Sequence, residues 1–427
     1  MEQTNKIVNY WLAHLLGYRG IPMMSRPTFR NEFIGQIFSN LGGALLAPAI
    51  IQLIILKIFS GPDWLSPAIV SLSMLGLIAG GAIGKFLATR RRIPYIIASR
   101  LGISAFMISV ACLPISTSSM WIIMGLLVPA FIIQSVVINI QSGIWQSNYP
   151  PSCRGKIISK ILTFKIICLA VGAQVSTEFL DKFPNSYPYI YILAAIFFIL
   201  SARSYSKIRI RREKSILAHT NTIKVGFIEQ FKIVSKDKHY VRYLILQMLS
   251  GISVLSVRGI WVPQIKETFE ITLAAGTFAI FTSKSMLNVI FAPISGHIFD
   301  RLGTMRFRVI NTLIWVTSTI LLGLGLYLSQ FWLIIAGYCV VGIANATGSL
   351  VWNIGHTRFA PKGRGQIYMG VHQSLTGLRG VAAPVLGFYL FENILGFWLI
   401  LMMIVLQLGV AVAYYRSPEP NKKEHAS

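Results

Sequence analysis

The amino-acid sequence predicts an all-α membrane protein of twelve transmembrane helices in two pseudo-symmetric six-helix bundles. Three observations carry that prediction: a composition poor in charge, twelve apolar segments split six and six by a basic linker, and an echo between the halves. The 427 residues are 54% hydrophobic and only 12% charged, where a soluble chain carries about a quarter charged residues. That is apolar material for about a dozen spans of ~20 residues. It excludes a soluble enzyme and a disordered chain.

Residues 1–30 read as a terminal segment with an interfacial amphipathic helix. Ile7, Val8, Trp11, Leu12, Leu15 and Leu16 recur at helical spacing beside Lys6, His14 and Arg19, in a run too short to cross a bilayer. No small-residue cleavage site follows, so a signal peptide is not expected. The first bundle, residues 31–204, contains the apolar segments Phe33–Phe59, Leu65–Leu87, Ile93–Ile115, Met120–Gln146, Ile157–Phe179 and Tyr187–Ser204. Residues 205–242 form a basic linker. The second bundle, residues 243–415, contains Tyr243–Val262, Leu273–Phe299, Val309–Leu328, Phe331–Trp352, Gln366–Phe391 and Ile394–Tyr415, and residues 416–427 form a tail.

Charge sets the topology. The 39 Lys+Arg against 14 Asp+Glu give a net charge of +25, which by itself invites a nucleic-acid partner. The cations concentrate on one side, however: Arg90, Arg91, Arg92; Arg154, Lys156, Lys160; Arg301, Arg306, Arg308; Arg358, Lys362, Arg364; and the linker. The opposite breaks hold Lys57, Lys182 and Lys266 beside Asp63, Glu178, Asp181, Glu267, Glu270 and Glu392. This asymmetry predicts termini and linker in the cytoplasm, facing an anionic inner leaflet, with no nucleic acid required. A bacterial plasma membrane fits the compact loops. The cysteines (Cys112, Cys153, Cys168, Cys339) have no CxxC spacing and imply neither a disulfide framework nor a zinc site. No cofactor is expected, and the chain reads as a monomer.

The halves echo at an offset near 210 residues. Gly84-Lys-Phe-Leu-Ala-Thr-Arg-Arg-Arg follows the second span and Gly296-His-Ile-Phe-Asp-Arg-Leu-Gly-Thr the eighth. Gly143-Ile-Trp leads to Pro151-Ser-Cys-Arg-Gly-Lys, as Gly348-Ser-Leu-Val-Trp leads to Pro361-Lys-Gly-Arg-Gly-Gln. On these motifs the sequence resembles the major facilitator superfamily over nearly its whole length. Gly296-x-x-x-Asp300-Arg301-x-Gly303 matches that family's cytoplasmic loop signature, and the Arg-Gly pairs at 154–155 and 364–365 resemble its other loops. The resemblance implies a transporter with its site between the halves, and Gly296, Asp300, Arg301 and Gly303 as gating elements. Ala88 departs from the signature in the first half. The fourth span lacks the buried arginine, and the fifth the Gly-Pro motif, of proton-linked drug exporters. The eleventh span does carry Gly377, Gly380, Pro384 and Gly387.

Away from the span ends, five cations fall inside the spans, Arg100, Lys165, Arg258, Lys284 and Arg379, with no Asp or Glu at such positions. A charge at mid-bilayer costs about 2.5–3.5 kcal/mol unless it meets water or a partner. Cations without a carboxylate therefore point to an aqueous cavity whose counter-charge arrives with the substrate. Arg100 lies near the cytoplasmic end and can snorkel. Arg258 lies near the outer end but shares a face with Gln247 and Gly251. Lys165, Lys284 and Arg379 lie roughly 13 to 24 Å along their helices, where contact with substrate and bonding to a neighbouring helix are equally open readings. Lys284 shares a stripe with Asn288, and Arg379 with His372 and Tyr368. His372 is suited by type to proton coupling or to a structural hydrogen bond. Gln134, Gln141 and Asn345 add polar positions that suit either the cavity or helix–helix bonding.

The expectation is a carrier of a small organic anion working by alternating access. Moving one charge through 100 mV involves about 2.3 kcal/mol. Without a membrane carboxylate to handle a proton, efflux, facilitation or exchange is favoured over proton symport. A transporter-shaped sensor, scaffold or assembly factor is the alternative of a different class, and an exporter of drugs or amphiphiles is another. No paired carboxylates, nucleophile–base motif or metal cluster indicates an enzyme.

Overall fold

A computed structural model describes residues 21–88, 90–211, 213, 227–360 and 365–419. The amphipathic helix expected over residues 1–20 lies outside them. Helices α1 (Arg26–Gly43) and α2 (Pro48–Lys57) form one span bent by 41°. The bend falls at Ala47, which is extended at φ −69° and ψ 128°. A following proline disfavours the helical region for the residue before it, so Pro48 enforces the break. The first half continues with α3 (Leu65–Ala88), α4 (Arg92–Ala111), α5 (Thr117–Asn148), α6 (Pro151–Lys182) and α7 (Tyr187–Ser206).

A short linker helix, α8 (Phe227–Ser235), leads into the second half. There α9 (Lys238–Arg258) and α10 (Trp261–Phe269) form the seventh span. Next, α11 (Leu273–Thr277) and α12 (Ser283–Leu302) are joined by a π turn over Phe278–Thr282. Then come α13 (Thr304–Tyr327), α14 (Phe331–Ile354), α15 (Gly365–Leu390) and α16 (Trp398–Tyr415). Among the described residues, ten helical segments are long and apolar enough to cross a membrane, or eleven with the bent pair. Helix α3 supplies the remaining crossing, giving twelve.

The packing follows the duplication. In the first half α1 packs on α6 and α7, α4 on α7, and α3 on α5; in the second α9 packs on α15 and α16, and α14 on α12 and α13. The halves meet where α3 crosses α15 and where α6 meets α11 and α12. The small residues of α15 make the first crossing possible. A Cβ at Gly380 would come within 2.6 Å of Met74 Cγ, and one at Gly377 would collide with Ile78.

The apolar core is one body at the face opposite the termini and several at the terminal face. The large cluster joins Ile50, Leu65 and Met107 of the first half to Val257, Ile280, Tyr338 and Leu399 of the second. Nearer the termini, one cluster holds Phe29, Phe33 and Tyr149, a second Ile140 and Tyr205, and a third Tyr240, Tyr243, Phe359 and Tyr414. Polar contacts between the halves follow the same rule among the described residues. Asp181 accepts from Leu273 N (2.9 Å) and Ala274 N (2.7 Å), and Thr282 Oγ1 donates to Gln174 Oε1 (3.0 Å). Ser66 Oγ donates to Gly259 O (3.2 Å), and Lys266 lies 3.6 Å from Asp63. All are at the opposite face. The halves are latched there.

Candidate functional site

The bend at Ala47 and the π turn before Lys284 open a pocket between the halves. Pro48, Ala49 and Gln52 on α2 and Val70 on α3 face Arg258, Trp261, Lys284, Trp315, Tyr338 and Asn345 across about 50 Å³ of free space. π turns recur at functional sites because they displace the helix register locally. Here Lys284 Nζ lies 4.8 Å over the Phe281 ring, a ring within that turn. Arg258 lines this space, is exposed overall, and lies within electrostatic reach of both Lys284 and Tyr338. Gln52 is fixed by donating to Ser66 O (2.9 Å) and Ser66 Oγ (2.8 Å). The pocket therefore presents two cations, a phenol, amide groups and two indoles. Neither cation pairs with a carboxylate among the described residues.

A second polar cluster lies toward the terminal face, inside the second half. Gln247 is its hub. Its Oε1 accepts from Arg308 Nη2 (3.0 Å), its Nε2 bonds His372 Nε2 (3.0 Å), and its carbonyl accepts from Arg379 Nη1. Arginine only donates, so the glutamine oxygen must face Arg308 and its NH2 must face His372. His372 Nε2 then accepts, and the ring carries its proton on Nδ1. Protonating Nε2 would set two donors against each other. This arrangement holds His372 as a neutral spacer.

The first half contains a buried carboxylate. Glu32, 0% exposed, accepts from Gln141 Nε2 (3.0 Å), Trp145 Nε1 (2.5 Å) and Tyr149 Oη (2.5 Å). Gln141 also donates to Tyr205 Oη (3.2 Å), whose ring lies 5.6 Å below the Arg100 guanidinium. Indole N–H is donor-only, so the network is built around an acceptor carboxylate.

With this geometry in view, comparison with known proteins is informative. The family model of the Major Facilitator Superfamily matches residues 33–316 and 244–427. The chain belongs to the major facilitator superfamily. Among solved structures, it is similar to a D-xylose–proton symporter (TM-score 0.72, 12% identity, covering 93% of this chain and 99% of that one). It is similar also to the nucleoside transporter NupG (0.70, 11%, 90% and 98%) and the peptide transporter POT (0.67, 15%, 91% and 94%). At such identities the likeness shows the fold. No curated protein sequence matches.

In this superfamily member the predicted site residues separate into groups. Arg258 and Lys284 come together in the pocket, with Asn345. Gln247, His372 and Arg379 form the hub cluster, away from it. Gln141 belongs to the Glu32 network, and Gln134 is exposed on the same helix. Lys165 is half-buried on α6, within electrostatic reach of Arg100, and does not line the pocket. Arg100 is buried at 7% rather than snorkelling, stacked over Tyr205. Asn288 is half-buried on α12.

Two expectations are corrected. The spans do contain a carboxylate, since α1 begins at Arg26 and carries Glu32 inside the protein. Arg308 is no loop cation but lies buried in α13. At the loop signature, Gly296 ends in open space, Arg301 is exposed, and the side chain of Asp300 lies outside the description. Gly303 takes φ 86°, open to glycine and strained for other residues. Beyond that turn, Glu419 of the tail accepts from Thr304 N and Arg306 N, both at 2.9 Å. The turn is braced by the tail.

Proposed function

We propose that this superfamily member carries a small organic anion across the membrane by alternating access, with Arg258 and Lys284 meeting the negative group of the cargo. The observation that carries the reading is the pairing of those two cations in one pocket with no described carboxylate beside them. Trp261, Trp315 and Tyr338 would face the organic part, and Gln52 and Asn345 would bond its polar groups. Neutral cargo leaves two like charges side by side on one wall of the pocket, while anionic cargo relieves both. The neighbours named above are described as carrying a sugar, a nucleoside and a peptide, so the cargo class is argued from the pocket and not from them.

The basic terminal face is read as cytoplasmic, in a plasma membrane. On that reading, the shared core at the opposite face describes a carrier closed outward, with its halves parting inward. Efflux, facilitation or exchange remains the preferred mode. Glu32 removes the argument from missing carboxylates, but it lies sixteen residues, about 24 Å of helix, before the pocket-lining Pro48. Its three donors hold it as a structural acceptor. The test is flux in proteoliposomes with radiolabelled lactate, citrate and neutral xylose. Carboxylate flux above empty vesicles supports the proposal, and xylose flux without carboxylate flux rejects it. A Glu32→Gln variant that loses flux only under an imposed pH gradient would replace this mode with proton symport.

A further inference from the structure

Each half buries an arginine on its third span, beside a glutamine from its first and a tyrosine from its last. In the first half these are Arg100, Gln36 and Tyr205; in the second, Arg308, Gln247 and Tyr414. Gln36 Nε2 donates to Tyr205 Oη (2.9 Å) under the Arg100 guanidinium. Arg308 donates to Gln247 Oε1 and to Tyr243 Oη (3.1 Å), within electrostatic reach of Tyr414. One turn before the glutamine, the halves differ. The first half has Glu32, linked to Arg100 through Gln141 and Tyr205. The second has Tyr243.

The second half therefore has more positive charge and less to balance it. Arg379 joins Arg308 on the Gln247 hub, and no described acidic side chain bonds either of them. Asp237, at the start of α9, is already engaged by Tyr240 N (2.9 Å) and Tyr368 Oη (3.0 Å). Four polar atoms in this cluster have no partner among the described residues: Arg308 Nε, Arg379 Nε, His372 Nδ1 and Tyr414 Oη. Arg308 is 8% exposed, and His372 and Tyr414 1% each. The tautomer set by Gln247 makes His372 Nδ1 a donor, so all four groups can donate. An unfilled buried donor costs about 1–3 kcal/mol, and such a group calls for a bound ion or water. Donors from two arginines call for an anion.

We propose that the second half holds a small inorganic anion, a halide or compact oxyanion, among Arg308, Arg379, His372 and Tyr414. It fills the role that the Glu32 carboxylate fills in the first half. This site is separate from the cargo pocket, since Gln247 and Arg258 are eleven residues, about 16 Å, apart on α9. It ties α9, α13, α15 and α16 together at the terminal face and persists whatever the cargo proves to be.

The test is thermal unfolding of the purified full chain in nanodiscs, titrated with sodium bromide or sodium sulfate against sodium gluconate at constant ionic strength. The expected result is a saturable rise in unfolding temperature with bromide or sulfate. Arg308→Gln should abolish it, while Lys284→Gln should retain it. Gly251→Ala tests the same site without removing charge, because a Cβ there meets the Arg379 guanidinium. Half-saturation should then weaken roughly tenfold, the equivalent of one charged hydrogen bond; this arm decides if Arg308→Gln does not fold. In bromide-soaked crystals the anomalous peak should fall beside Arg308 and Arg379. A non-saturating shift, an unchanged response in Arg308→Gln and Gly251→Ala, or a response lost in Lys284→Gln overturns the proposal. No transport step enters this readout, so absent carboxylate flux would count against the cargo reading alone.

Discussion

Asp181→Asn probes the latch between the halves. Both carboxylate oxygens of Asp181 accept backbone N–H groups, from Leu273 and Ala274, at the start of α11. Hydrogen bonds to charged groups contribute about 1.5–3 kcal/mol against 0.5–1.5 for neutral ones. The helix N-terminus adds about 0.3–1 kcal/mol for a negative charge. Asparagine keeps one acceptor oxygen and loses the charge, and Asp181 is exposed, so the low end applies. A loss of about 1 kcal/mol shifts the balance between closed and open at this face roughly fivefold toward open. Spin labels at Ser118 and Thr268, introduced after removing the four native cysteines, report the distance across that face. Growth of the long-distance population in Asp181→Asn is expected. An unchanged distribution in a folded variant would refute the assignment of Asp181 as a latch.

Three further outcomes follow from named contacts. Glu32→Ala strands Gln141, Trp145 and Tyr149, each at about 1–3 kcal/mol per buried unpaired group; chemical denaturation should show a loss of several kcal/mol, larger than for Glu32→Gln. Gly303→Ala strains a residue at φ 86° and drives a Cβ toward the Glu419 carboxylate, so cleavage of the tail by protease should accelerate while Arg301→Ala leaves it unchanged. His356, beyond the tenth span, is 7% exposed, and burial holds its pKa below the ordinary 6.5. The unfolded chain then binds more protons than the folded one, so its contribution is complete above about pH 6.5 and declines below it. Thermal unfolding across pH 5–7.5 should show that slope, reduced in His356→Gln.

Much of the architecture was legible because apolar period and charge placement are direct consequences of the bilayer. The succession of apolar spans follows from that constraint. The bend at Pro48 was also readable in principle, since proline restricts the residue before it. The buried polar networks were harder to see. Drawing spans from their first apolar residue began the first at Phe33 and the ninth at Val309, each one residue past a buried charge. Arg308 was assigned to a loop, and Glu32 left outside the first span, for that reason alone. Their signal was the internal offset, which pairs Gln36 with Gln247 and Arg100 with Arg308. Helical spacing grouped Arg379 with His372 correctly. It could not tell that the outer half of the bent first span faces Arg258 and Lys284, because facing across halves is a matter of tertiary packing.

Equilibrium binding of a labelled carboxylate reports the charge preference of the pocket without requiring transport. Scintillation proximity with labelled lactate and citrate should show affinity lowered at least about tenfold in both Arg258→Gln and Lys284→Gln, with Lys165→Gln unchanged. Equal affinity in the wild type and both pocket variants, or xylose binding that outlasts every carboxylate, would contradict it.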